Sequence, residues 1–359
     1  MVLARRTIWC CRLPAARLIK SLCFRLFRWK PDRLRRGELV AFPTETVYGL
    51  GALGLDARAV ERIFAAKGRP HSDPVILHVG DPAWVPALVR SLPPLAERAM
   101  EAFWPGPLTL VLPKSERVPD VVTAGGDSVA VRMPAHPLAL ELIRQVGEPV
   151  AAPSANLFSR TSPTTAEHVL QDLSGRIEAV LDGGPTTVGV ESTVLDLRGP
   201  EPVILRPGGV TQEQLARVLE CPVSAPGQSV DDGEPAVSPG QLTRHYSPRA
   251  EMRLFAGPDA AVLAALRHEA ERANSPQTTA VLAFSEDEVE LQGLPAEVVD
   301  LGSRTRPEQA ARALYAAMRD LDARGFTLIL ARLAPHGGLG DAVNDRLRRA
   351  ASGRITHVG

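Results

Sequence analysis

Between residues 37 and 220 the chain repeats one pattern: short apolar runs separated by turn residues and by stretches of helical periodicity. The apolar runs are LVAF, VILHV, LTLVL, VAVRM, PVAAPSA, AVLDGG, STVLDL and PVILRPGG, and the lengths suit buried strands. The spacing predicts helices over 56–66, 94–103, 137–145 and 211–220. Because the runs are not joined by one regular helical crossover each, the expected fold is α/β with a twisted mixed sheet rather than a uniformly doubly wound one. From 222 to 248 the text becomes PVSAPGQSVDDGEPAVSPGQLTRHYSP, without apolar periodicity, which reads as a linker. Beyond it EMRLFAG, TTAVLAFS, AEVVDLG and FTLILARL alternate with amphipathic stretches at 258–273, 307–323 and 340–351, the pattern of a smaller, Rossmann-like parallel α/β domain. The expected organisation is thus an extension over 1–31, a domain over 32–221, a linker over 222–248 and a domain over 249–359.

Composition narrows the class. The 359 residues are 45% hydrophobic and 23% charged, ordinary for a folded chain long enough for two domains. Lys+Arg and Asp+Glu both number 41, so no overall field draws in polyanions and any anion site must be local. Cys10, Cys11, Cys23 and Cys221 make neither a disulfide framework nor a zinc knuckle, which suits a reducing cytoplasm. The histidines include no HExxH, and no caged metal is expected. No apolar run is long enough for a transmembrane helix. The first 31 residues carry Arg5, Arg6, Arg12, Arg17, Lys20, Arg25, Arg28 and Lys30 with no acid. They read as a basic extension or an over-long start rather than a transit peptide.

Candidate chemistry gathers where apolar runs end, the place at which open α/β sheets present ligand groups. PTETVYG offers Thr44, Glu45, Thr46 and Tyr48. KGRP sets Lys67 two residues from Arg69, a spacing that an anion between them would relieve. VAVRMP ends a strand on Arg132, which shares a face with Ala130 and Ser128 and needs an anionic partner if buried. AAPSAN supplies Ser154 and Asn156, SPT supplies Ser162 and Thr164, and ESTVLDL supplies Glu191, Ser192 and Thr193. VILRPGG puts Arg206 beside two glycines whose amides can approach an anion. This inventory of cations and hydroxyls, with no Ser/His/Asp or Cys/His nucleophile, points to a nucleotide-using transferase or ligase that works by positioning and charge stabilisation. GLGALG also satisfies G-x-G-x-x-G through Gly49, Gly51 and Gly54, which keeps a dinucleotide oxidoreductase as a rival, although PTETVY separates these glycines from the preceding run.

PTETVYGLG, KGRP followed by His78, VAVRMP, AAPSAN, ESTVLD and RPGG, in this order and spacing, resemble the threonylcarbamoyl-AMP synthase (YrdC-like) family over about residues 33–220. QLTRHYSP and PHGGLGDAVNDRLRRAA resemble its two-domain branch, with a C-terminal extension domain. The resemblance implies a nucleotidyltransferase that makes L-threonylcarbamoyl-adenylate and pyrophosphate from L-threonine, bicarbonate and ATP, toward tRNA threonylcarbamoyladenosine. It implies Thr46, His78, Arg132, Ala152 and Ser192 for threonine, and Lys67, Arg69, Asp73, Ser128, Ser154, Ser162, Arg206 and Tyr246 for ATP. Lys67, Arg69 and Tyr48 would line the reacting centre, Tyr246 would fold back from the linker over the nucleotide, and magnesium would ride on the phosphates. Asp73 departs from the family's usual Asn in this segment and is expected to face magnesium or a cation such as Lys67. The tRNA-modifying machinery downstream is the implied partner. The alternative function is a double-stranded RNA or tRNA-binding module without ATP chemistry.

Overall fold

The computed structural model describes residues 29–224, 238, 246–273 and 275–359. The expected extension over 1–31, apart from the start of the first helix, and most of the expected linker over 222–248 lie outside the described residues. The described chain divides into two units: residues 29–158, Pro163–Thr187 and 191–224 form the first; Ser159–Ser162, Val188–Val190 and 246–359 form the second.

In the first unit the strands are β1 (Val40–Phe42), β2 (Gly49–Leu53), β3 (Ile76–His78), β4 (Leu108–Pro113), β5 (Ser128–Arg132), β6 (Val150–Ala151), β7 (Ala179–Val180), β8 (Thr193–Asp196) and β9 (Val203–Arg206). They form one nine-stranded sheet in the order β7-β1-β2-β6-β3-β5-β4-β8-β9. β1–β7, β3–β5 and β4–β8 are parallel pairs and the others antiparallel, which makes the sheet mixed. The helices are α1 (Trp29–Arg35), α2 (Ala57–Lys67), α3 (Pro94–Phe103), α4 (Pro137–Val146), α5 (Ala166–Leu173) and α6 (Gln212–Leu219). Local chemistry sets their ends. Asp56 caps α2 by accepting from the amides of Arg58 and Ala59, and Gly68, at φ 64°, closes it in the left-handed region that glycine reaches without strain. Thr211 and Gln214 cap each other at the start of α6.

Alternation along the strands divides the apolar residues between two faces. One face feeds the main core, which includes Phe42, Leu50, Ile63, Leu77, Leu110 and Val131. The other carries a small cluster of Ile76, Val111, Ala130 and Val194, and polar residues continue beyond it toward the strand ends.

GLGALG is not a phosphate-binding turn: it is β2 itself, paired antiparallel with β1 and β6. Its glycines are there for packing. A Cβ on Gly51 would come within 2.8 Å of the Phe42 ring, and one on Gly54 within 2.7 Å of Leu77 Cδ2 and 2.8 Å of the Pro149 carbonyl. Overpacking of this kind costs about 1–3 kcal/mol. Gly54→Ala is therefore expected to lower the thermal midpoint by several degrees and to leave nicotinamide binding absent in both forms; isothermal titration with NAD and a melting curve check the two halves.

The second unit has a five-stranded sheet, β10 (Glu251–Ala256), β11 (Thr279–Ala283), β12 (Glu297–Asp300), β13 (Leu328–Arg332) and β14 (Ile355–His357), in the order β12-β11-β13-β10-β14. Every pair in it is parallel. Helices α7 (Asp259–Glu271), α8 (Pro307–Ala323) and α9 (Leu339–Ala350) accompany it. This matches the parallel α/β unit expected from the alternation of apolar runs and amphipathic stretches. Among the described residues no helix is long and apolar enough to cross a membrane.

Candidate active site

Strand register assembles the centre of the site. His78 on β3 pairs with Arg132 on β5, Arg132 with Thr109 on β4, Thr109 with Val194 on β8, and Val194 with Arg206 on β9. Cross-strand partners point to the same face, so His78, Arg132, Thr109 and Arg206 lie in one row across the strands, with the apolar Val194 between the last two. All are buried: His78 is 3% exposed, Arg132 4%, Thr109 0% and Arg206 3%.

Two guanidinium groups inside a protein are costly unless their donors are engaged. Arg132 ion-pairs through Nη2 with Glu45 and donates from Nε to the Gly106 carbonyl at 3.2 Å. Arg206 donates from Nε and Nη2 to the Ser192 carbonyl, and from Nη2 to Ser192 Oγ at 3.1 Å. Ser192 Oγ in turn lies 2.8 Å from Thr109 Oγ1. A residue expected on the threonine side and one expected on the ATP side thus share a hydrogen bond. The turn after Arg206 is pressed onto the same segment: a Cβ on Gly208 would sit 2.4 Å from the Glu191 carbonyl oxygen and the Thr193 amide.

Lys67 and Arg69 each take protein partners of their own. The buried Lys67 ammonium donates to the carbonyls of Ser154 (2.6 Å) and Asn156, tying the end of α2 to the AAPSAN loop. Arg69 ion-pairs with Asp73 at 2.9 Å and donates to the carbonyls of Asp73 and Pro74. Asp73, expected to face magnesium or a cation such as Lys67, meets the cation Arg69, because the turn after Arg69 brings residue 73 back onto it. Ser154 bridges to Gly49 at the start of β2, the Ala152 amide donates to the Ile76 carbonyl at 2.9 Å, and Ser128 is buried opposite Pro113.

The PTETVY loop is held from within. Thr44 Oγ1 lies 2.8 Å from Thr46 Oγ1 and donates to the Val47 carbonyl, and Thr46 is fully buried. The Tyr48 phenol donates to the Gly184 carbonyl at 2.7 Å and accepts from the Gly183 amide at 3.2 Å. Burial, with Asp182 beside it, pushes the phenol above its ordinary pKa. Tyr48 is a neutral strut joining this loop to the 182–184 turn.

Burial, and then the neighbouring Arg132 charge, pushes His78 down to about 3 from an ordinary 6.5. Its Nδ1 has no hydrogen-bond partner among the described residues. The ring stays neutral in the folded protein, whereas the unfolded chain takes up a proton below 6.5. Stability from this group is therefore present above pH 6.5 and is lost as pH falls toward 3. The melting temperature is expected to decline from pH 7 to pH 5 less steeply in His78→Gln than in the parent, and a pH series of thermal melts reads the difference.

Two expected residues, Ser162 and Tyr246, fall in the second unit. The Ser162 carbonyl accepts from Arg319 Nε at 3.3 Å. Tyr246, 1% exposed and at φ 61°, packs its ring 5.8 Å from that of Tyr315 and 4.9 Å from the Arg346 guanidinium carbon. Sequence reasoning gave Glu45 no role and missed Thr109 and the 182–187 turn altogether. Thr109 lies inside the apolar run LTLVL, where the even hydrophobicity hides it.

The family model described as "Telomere recombination" matches residues 32–208, and that described as "Threonylcarbamoyl-AMP synthase, C-terminal domain" matches residues 210–352. The threonylcarbamoyl-AMP synthase of Pyrococcus abyssi is 46% identical over 329 residues, spanning 90% of this chain and 94% of its own. That of Bacillus subtilis is 43% identical over 323 residues, spanning 90% and 92%. The crystal structure of P. abyssi Sua5 complexed with L-threonine superposes with a TM-score of 0.85 at 43% identity, over 98% of this chain and 100% of that one. With both family models matched in tandem and near full-length coverage of these relatives, the chain belongs to the threonylcarbamoyl-AMP synthase family.

Proposed function

We propose that this protein synthesises L-threonylcarbamoyl-AMP and pyrophosphate from L-threonine, bicarbonate and ATP. The observation that carries this reading is Arg132: buried at the end of β5 and tethered to Glu45 and Gly106, it keeps Nη1 without a protein acceptor among the described residues. A buried guanidinium with one open edge is a receptor for a carboxylate, and the Pyrococcus relative was solved with L-threonine. Arg132 takes the threonine carboxylate, with Thr46, His78, Ala152 and Ser192 shaping the pocket. The neutral His78 ring offers a dipole there without adding a second charge.

In the reaction the threonine nitrogen bonds to the carbon of CO2 drawn from bicarbonate, and its proton passes to solvent. The carbamate oxygen then bonds to the α-phosphorus as the bond to the β-phosphate oxygen breaks, and pyrophosphate leaves with the electron pair. Negative charge builds on phosphate oxygens, where preorganised cations stabilise it most. Lys67, Arg69 and Arg206 supply that charge, Ser128 and Ser154 supply hydroxyls, and Asp73 keeps Arg69 in place. Tyr48 positions the PTETVY loop. Glu45 and Asp73 are both committed to arginines. The donor set therefore suits phosphate oxygens better than a metal ion, and magnesium, brought with ATP rather than held by these side chains, would screen the phosphate charge. The product passes, in the cytoplasm, to enzymes that transfer the threonylcarbamoyl group to tRNA.

Pyrophosphate release with ATP, magnesium and bicarbonate, compared across L-threonine, L-serine and no amino acid, tests the reading. Release that requires both threonine and bicarbonate is the expected result. None from folded protein that binds ATP overturns it.

A further inference from the structure

Glu45 is 8% exposed in the loop between β1 and β2, and three separate segments are anchored on it. One carboxylate oxygen accepts from Arg132 Nη2 at the end of β5, and the other accepts from the Ala135 amide at 3.0 Å. Its main-chain carbonyl accepts from the Thr187 amide at 3.2 Å. A guanidinium is planar, so holding Nη2 against Glu45 and Nε against the Gly106 carbonyl fixes the direction in which Nη1 points. Nη1 alone has no partner among the described residues, and nothing else in the row constrains it.

We propose that Glu45 is a positioning residue for the amino-acid substrate: it acts through Arg132, aiming the open guanidinium edge at the α-carboxylate and balancing the arginine's charge while the pocket is empty. This rests on the synthase reading and adds to it the group that makes Arg132 a directed receptor rather than a mobile cation. The carboxylate form is required. A glutamine at this position can accept from Arg132 with its one oxygen, but its amide group then turns a donor toward the Ala135 amide, so one of the two tethers is lost. Preorganisation of the receptor is what sets affinity for a small ligand, and a loosened guanidinium misplaces the carboxylate by a fraction of an ångström or more.

The test compares the full-length protein with Glu45→Gln and Glu45→Asp in pyrophosphate release, using L-threonine and L-threonine amide, which lacks the carboxylate charge. The expected result is a rise of about tenfold in the KM for threonine in Glu45→Gln, with the KM for ATP within about twofold of the parent. The preference for threonine over its amide should fall by a similar factor. Glu45→Asp keeps the charge on a stem one methylene shorter and should fall between the two, and it carries the test if Glu45→Gln does not fold. An unchanged preference for threonine over the amide in both variants, or equal losses toward threonine, the amide and ATP, overturns the proposal. If the parent itself shows no threonine-dependent release, the synthase reading fails and the proposal falls with it.

Discussion

Replacing Arg132 by Met lowers kcat/KM for L-threonine about a thousandfold, the loss expected when a buried, hydrogen-bonded charge that meets a substrate carboxylate is truncated. Two effects are combined in that variant. The substrate loses its receptor, and Glu45, 8% exposed, is left with the Ala135 amide as its remaining side-chain tether. Stranding a buried carboxylate costs about 3–5 kcal/mol of stability, so Arg132→Met alone should also melt earlier. The double variant Arg132→Met/Glu45→Gln separates the effects: removing both charges returns most of the melting temperature, while activity stays lost. Initial rates against threonine concentration, with melting curves on both variants, make the measurement. A threonine KM within threefold of the parent in folded Arg132→Met would remove Arg132 from the pocket.

Lys67→Ala is the second large loss, about a thousandfold in kcat/KM for ATP. The ammonium sits 2% exposed between the end of α2 and the AAPSAN loop, holding the carbonyls of Ser154 and Asn156. A positive charge in so dry a place acts on phosphate oxygens far more strongly than one in water. Truncation removes that charge and releases two carbonyls from a charged donor, so the loop presenting Ser154 loses its tie to α2. Lys67→Arg should not restore activity, because the planar fork cannot reproduce a compact ammonium reaching two carbonyls from one helix end. Rates against ATP at saturating threonine give the answer. A KM for ATP near the parent value in folded Lys67→Ala would place Lys67 outside the nucleotide's reach and leave it a loop tether only.

Particular residues show where sequence reasoning stopped. Arg132 and Arg206 were legible as site candidates because each closes an apolar strand, and a charge there requires a partner. Glu45 was visible in PTETVY, yet its partner lies 87 residues away, so no local pattern could pair them. Thr109 looks like one more member of an apolar run, and only the pairing of β4 with β5 and β8 reveals that its hydroxyl meets Ser192. GLGALG shows the opposite case, a motif that the intervening PTETVY already argued against. Its spacing fits a phosphate-binding turn, but the glycines serve close packing of β2 against Phe42, Leu77 and Pro149. Asp73 was legible as facing magnesium or a cation such as Lys67, and the turn after Arg69 settles its ion pair on Arg69.

By itself the sequence determined the class of fold, the division of secondary structure into a mixed α/β part and a parallel one, and the chemical inventory of cations and hydroxyls at strand ends. Those follow from periodicity and local burial, which act over a few residues. Tertiary structure alone decided which strands lie side by side, and hence that His78, Arg132, Thr109 and Arg206 share a row, that Ser192 and Arg206 are joined, and that Glu45 faces Arg132. Register is set by packing across the whole sheet, where a slip of one residue would turn every side chain to the opposite face.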